Sequence, residues 1–221
     1  MSLYKDMKLL ILFSFVLITL ILYVRIYHPI TCLSAEQKQH LYGLMERVDI
    51  VLKNNNIPYF IICGTLLGSV RHGEIIPWDN DIDIGIMKKD LPRLQAIDWE
   101  AYGLGSKELA ENQIGKLFFP EHYGNGDKFK SVFIDVFVFE QVGDRIQYTY
   151  DYARDLWPRE YFLVDEVFPL RSYTFGELTV QGPAQYEPYC ERAWGNWRAY
   201  PMSIYWKVLF HPEKIDWILR Y

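Results

Sequence analysis

Cysteine is scarce in this chain, with three residues in 221, at positions 32, 63 and 190. Three are too few for a disulfide-built scaffold, and no Cys-x-x-Cys pair is present to hold a structural zinc ion. An excess of positive charge is lacking as well. Lys and Arg number 23 against 28 Asp and Glu, a formal charge of −5. The basic stripe of a nucleic-acid-binding surface is therefore missing, and no nucleic-acid partner is expected. Repeats, linkers and low-complexity stretches are absent after residue 30. What is present is apolar: the chain is 50% hydrophobic and 17% aromatic. That excludes a disordered, solvating polypeptide and is enough to bury the core of one domain.

The first segment is the least like the rest. Residues 9–24 contain no charged side chain. As a helix they would reach about 24 Å, short of the roughly 30 Å hydrocarbon layer. Counted over residues 7–26, with Lys8 and Arg25 reaching to the two interfaces, the span fits a thin bilayer. A cleaved signal peptide would need small residues just after the apolar run, where Arg25, Tyr27, His28 and Pro29 stand instead. The expectation is an uncleaved anchor and tail over residues 1–30, followed by a catalytic domain over residues 31–221. Lys5 and Lys8 favour a cytoplasmic N-terminus. The expected placement is a single-pass protein of the endoplasmic reticulum or Golgi, its domain in the lumen.

Beyond residue 30 the pattern mixes helices and strands. Ser34 and Gln37 have capping-box spacing, and Leu41, Leu44, Met45, Val48 and Leu52 recur at helical period, predicting a helix over 35–53. Residues 58–63 read as a short strand, 65–70 as a brief helix, and 71–73 as a turn. Residues 81–86 alternate as a strand, 88–95 look helical, and 131–140 are β-branched and aromatic throughout. A hairpin is expected over 171–180, and a helix over 184–194 closed by Gly195. With no regular βαβ rhythm, the expected fold class is α+β.

Chemistry concentrates in GTLLGSVRHGEIIPWDNDIDIGI, residues 64–86. Asp79, Asp81 and Asp83 alternate with Ile82, Ile84 and Ile86, so on a strand the acids share one face and the isoleucines the other. Such a row of like charges is tolerable when solvated, protonated or holding a cation. A solvated acidic edge is one reading. An EF-hand is another, although Ile84 stands where its loop needs Gly and Asp90 where it needs Glu. The third is a catalytic site for Mg²⁺ or Mn²⁺, a reading helped by the glycine-rich turn just upstream. Backbone N–H groups around Gly64, Thr65, Gly68 and Ser69 could receive phosphate oxygens, with Arg71 adding a charge-assisted contact. Asp135 is centred in the apolar run FIDVF, where an unpartnered carboxylate would be costly. It is expected on a strand neighbouring the Asp81/Asp83 pair, as a third metal ligand or a general base.

These blocks resemble the LicD family, which includes bacterial phosphocholine transferases and fukutin-related proteins. The likeness runs through the Gly-Thr-Leu-Leu-Gly turn, Arg71-His72-Gly73, Ile76-Pro77-Trp78-Asp79 and Asp81-Ile82-Asp83, with SVFIDVFVFE as a second block. Asn80 stands where many members carry a further Asp. The resemblance implies a nucleotidyltransferase-like fold, a small mixed β-sheet flanked by helices. It also implies transfer of a phospho-alcohol, such as phosphocholine or ribitol phosphate, from a CDP-alcohol donor to a carbohydrate or glycoconjugate hydroxyl. Asp81, Asp83 and Asp135 would then hold Mg²⁺, and Arg71 would stabilise charge at phosphorus. Donation of the nucleoside monophosphate half, or a catalytically silent glycan-binding relative, are the alternatives.

Overall fold

The computed structural model describes residues 13–19, 32–123 and 132–198. Ser34 Oγ accepts from the Gln37 N–H at 3.1 Å, and Gln37 Oε1 accepts from the Ser34 N–H at 2.9 Å. This reciprocal cap satisfies two otherwise orphaned donors and starts helix α1 (Ala35–Asn54). The α1 stripe of Leu41, Leu44, Met45, Val48, Val51 and Leu52 is buried.

The main sheet has the order β1-β2-β5-β4-β3. Its strands are β1 (Tyr59–Ile61), β2 (Asp81–Met87), β3 (Gly105–Lys107), β4 (Gly115–Phe118) and β5 (Phe133–Val142). The pair β2–β5 is parallel, and the other neighbours along this path are antiparallel. β6 (Arg145–Tyr148) continues along the second half of β5, and β7 (Phe162–Leu163) pairs with β6. A separate hairpin, β8 (Arg171–Phe175) and β9 (Leu178–Gly182), lies against β1. The other helices are α2 (Cys63–His72), α3 (Leu91–Gln95), α4 (Asp151–Leu156), α5 (Val164–Val167) and α6 (Glu187–Trp194).

Alternation divides the central strands as the sequence requires. Ile82, Ile84 and Ile86 of β2, and Ile134, Val136 and Val138 of β5, are buried on one face. Helix α1 packs across both strands. On the other face stand Asp81, Asp83, Asp135, and then Gly85 opposite Phe137. Aromatic packing covers that end: Phe60 meets Phe139 and Phe162, and Phe162 stacks on Tyr189 of α6 at 4.0 Å. Gly85 leaves room for the Phe60 ring, since a Cβ there would lie 2.8 Å from it and 3.0 Å from Phe139.

Two expectations are corrected. The fold class, an α+β domain behind a transmembrane helix, becomes a mixed α/β domain with parallel and antiparallel pairs in one sheet. Among the described residues, no helix is long and apolar enough to cross a membrane. Of the span expected over 7–26, the structure describes residues 13–19, which are helical and exposed. The remainder of the span lies outside the described residues. The single-pass placement, with a cytoplasmic N-terminus and a lumenal domain, is corrected on the same finding.

Smaller differences are local. The brief helix at 65–70 is longer, and residues 71 and 72, read as a turn, form its last turn before Gly73 caps it at φ +69°. Residues 88–95 begin as a 3-10 turn before α3. The expected strand from 131 starts at Phe133, with Ser131 outside the described residues.

Packing at two glycines predicts opposite outcomes. Gly85→Ala pushes a methyl group into two buried rings and should lower stability by about 1–3 kcal/mol. Gly43→Ala, in the middle of α1 with nothing within 4 Å of the new Cβ, should raise it by roughly 0.5–1 kcal/mol. Urea unfolding of the two variants checks the pair; a loss at both positions would contradict the packing.

Candidate active site

The parallel register pairs Asp83 with Asp135, and Asp81 two residues earlier with Phe133. Directly opposed residues in a sheet project to the same side, so the three carboxylates converge. One oxygen from each of Asp81, Asp83 and Asp135 lies within 4.8 Å of the other two. They line a cavity of about 320 Å³ together with Cys63, Gly64, Ile114, Phe137, Tyr148, Trp157, Glu160 and Trp194. The lining thus combines four carboxylates with four aromatic rings.

Helix α2 is tied to this strand pair by its first turn. The Ile62 N–H donates to the Asp83 carbonyl at 3.2 Å, and the Asp83 N–H donates to Thr65 Oγ1 at 2.8 Å. The helix start therefore faces the acids, where its N–H groups favour negative charge. Cys63, the first helical residue, holds a left-handed φ of +48°, a strained backbone at the edge of the cavity. Gly64 follows for a steric reason. A Cβ at that position would lie 2.3 Å from Asp79 Oδ2. Asp79 precedes β2, and its carboxylate packs on the helix start instead of extending the strand row.

The expected phosphate cradle is only partly brought together. Gly64 lines the cavity. Thr65 is buried with its hydroxyl on the Asp83 backbone. Gly68 lets the chain at Glu74 approach closely, with a would-be Cβ 2.6 Å from the Glu74 carbonyl oxygen. Ser69 donates to the Thr174 carbonyl on β8 at 2.8 Å. Arg71 is buried in the last turn of α2 and does not line the cavity. Three of these motif positions therefore brace α2 against its neighbours.

The electrostatics are those of crowded acids. Burial, and then the charges of Asp81, Asp79, Asp135 and Glu160, push the Asp83 carboxyl well above the usual range. Burial raises the Asp135 carboxyl to about 6, against the pull of Lys116 and with a further push from Asp81. Lys116 stands opposite Asp135 on β4, its Nζ 2.5 Å from Oδ1 and 3.8 Å from the centre of the Phe133 ring. An oxygen-only, anionic donor set held against its own repulsion suits a hard divalent cation such as Mg²⁺.

Several of these residues carry no local sequence signal. Glu160 comes from the segment between α4 and β7, and Tyr148 ends β6. Burial and contact with Tyr148 and Cys63 bring Glu160 to the site. Lys116 is fixed only by β4–β5 register.

Comparisons with known proteins bear on this site. A family profile described as LicD/FKTN/FKRP, nucleotidyltransferase domain, matches residues 56–185. An uncharacterized protein of Rickettsia prowazekii is 34% identical over 190 residues, covering 82% of this chain and 66% of that protein. The ribitol 5-phosphate transferase FKRP of Homo sapiens is 28% identical over 181 residues, 79% of this chain and 34% of that protein. The lipopolysaccharide cholinephosphotransferase LicD of Haemophilus influenzae is 26% identical over 118 residues, 48% of this chain and 44% of that protein. The chain thus spans less than two thirds of the length of each of these relatives.

The crowding has a measurable consequence. Asp83 and Asp135 hold protons more tightly folded than unfolded, so their contribution to stability is lost as pH rises above about 4, for Asp135 through about 6. Asp83→Asn removes one charge without removing volume. In metal-free protein at pH 8 it should raise stability by about 1 kcal/mol, and the gain should shrink toward pH 4. Urea unfolding at both pH values tests this, and an equal loss at both would contradict it.

Proposed function

The chain belongs to the LicD/FKTN/FKRP family of nucleotidyltransferase-domain proteins, and from that premise we propose that it is a transferase of phosphorus-containing groups. Its reaction passes a phospho-alcohol from a CDP-alcohol donor to a hydroxyl of a carbohydrate or glycoconjugate, releasing CMP. The observation that carries this reading is the convergence of Asp81, Asp83 and Asp135 in one partly buried cavity. FKRP and LicD are named for transferring ribitol 5-phosphate and phosphocholine, two members of the donor class proposed here.

Each part of the cavity has work in such a reaction. Asp81, Asp83 and Asp135 are the residues that would hold Mg²⁺ or Mn²⁺. When bound, that ion supplies charge neutralisation for the diphosphate and for the departing CMP. Gly64 lets the Asp79 carboxylate pack against the start of α2 at the edge of the cavity. Lys116 balances Asp135 from the neighbouring strand. Phe137, Tyr148, Trp157 and Trp194 cover the carbon skeleton of the ligand and exclude water from the reacting phosphorus. A volume of about 320 Å³ suits a phospho-alcohol and its diphosphate, with the nucleoside reaching outward.

The test is product identification. The full chain is incubated with Mg²⁺, an oligosaccharide panel, and CDP-choline, CDP-ribitol or CDP-glycerol labelled in the alcohol. The expected result is CMP release with label on an oligosaccharide, reduced at least about 10²-fold in Asp81→Asn/Asp83→Asn protein. A CMP adduct on the acceptor would replace this reading with nucleotidyl transfer. Metal binding unchanged in the double variant would favour a catalytically silent relative.

A further inference from the structure

Glu160 lines the cavity with the three aspartates but stands outside their group of converging oxygens. Its Oε2 accepts from the Tyr148 hydroxyl at 2.9 Å and from the Cys63 thiol at 3.5 Å. Among the described residues, no donor reaches Oε1. Both donors to Oε2 are neutral, and no cation among the described residues pairs with this carboxylate. Placing a carboxylate here is costly, since neutral donors only partly replace the water it loses. A purely structural side chain would gain more as glutamine, which can accept the same two bonds.

The aspartates are committed differently. Asp135 Oδ1 takes the Lys116 ammonium, and the group formed by Asp81, Asp83 and Asp135 is the one suited to a cation. A carboxylate that lends its electrons to a metal and a lysine is a poor proton acceptor. Glu160 is the carboxylate of this cavity left for that task. It is oriented by a hydroxyl and has one oxygen without a partner among the described residues, which are the features of a general base held by a third group.

We propose that Glu160 is the catalytic base that takes the proton of the attacking hydroxyl, with Tyr148 as its positioning residue. This rests on the phospho-alcohol transfer reading. The acceptor oxygen forms a bond to the phosphorus of the phospho-alcohol. The bond from that phosphorus to the bridging diphosphate oxygen breaks, and the bridging oxygen leaves on CMP with the electron pair. The hydroxyl proton passes to Glu160 Oε1 and then to solvent.

Glu160→Gln keeps the shape and the bond from Tyr148 but removes the basicity. With a CDP-alcohol that the wild-type chain turns over, kcat should fall about 10²–10⁴-fold. Mn²⁺ affinity, followed by electron paramagnetic resonance, and the donor KM should stay at wild-type values. Asp83→Asn should instead lose Mn²⁺. Tyr148→Phe should lower kcat about tenfold alone and add nothing in the Glu160→Gln background, as expected of residues acting as a unit. An undiminished kcat in Glu160→Gln overturns the assignment. Loss of Mn²⁺ binding in that variant overturns it as well, because Glu160 would then be a metal ligand. A wild-type chain inactive with every CDP-alcohol overturns the transfer reading, and the base assignment with it.

Discussion

The parallel pairing of β2 with β5 is the constraint on which the rest of this molecule depends. It sets Asp83 beside Asp135 and fixes which side of the sheet the acids occupy. The register is enforced from the opposite face, where Ile82, Ile84 and Ile86 pack with Ile134, Val136 and Val138 in the core. A slip of one residue would exchange the two faces, burying carboxylates and exposing isoleucines. The same apolar packing that stabilises the domain therefore places its chemistry.

The site works against the stability of the fold. Three aspartates and Glu160 share one cavity; burial with mutual repulsion raises the carboxyls of Asp83 and Asp135, and burial raises that of Glu160 against the bonds from Tyr148 and Cys63. Neighbouring elements offset part of this strain: Lys116 from β4, the N–H groups of α2, and the Tyr148 hydroxyl. Thr65 and Ser69 belong to that scaffolding, one anchoring α2 to β2 and the other to β8. A pocket built in this way is poised for a cation and a phosphorylated ligand, and it is less stable without them.

Much of this was legible in the residues themselves. The capping box at Ser34, the alternation over residues 81–86 and the apolar run around Asp135 each carried a local signal that folding kept. The function assigned to the glycine-rich turn was harder to read. Its Thr and Ser could equally receive a ligand or a backbone group, and only tertiary packing decides between them. β3, β4, β6 and β7 are short; β6 follows β5 across a two-residue turn, whereas β4 meets β5 and β7 meets β6 across longer stretches of chain. The β5–β6 hairpin sets Tyr148 opposite Phe139, but Lys116 owes its place to β4 and Glu160 to a loop, and no spacing rule could have brought those two to the site. The apolar run near the N-terminus illustrates the reverse case, a strong hydropathy pattern for which the described residues provide no membrane-spanning helix.

The central claim is that Asp81, Asp83 and Asp135 form one cation site. Crystals of the full chain grown with Mn²⁺, and measured at the manganese edge, test it directly. A single anomalous peak is expected in the cavity, within about 2–2.5 Å of an oxygen from each of the three aspartates. No peak there, with Lys116 still bound to Asp135 and Mn²⁺ located elsewhere, would contradict it.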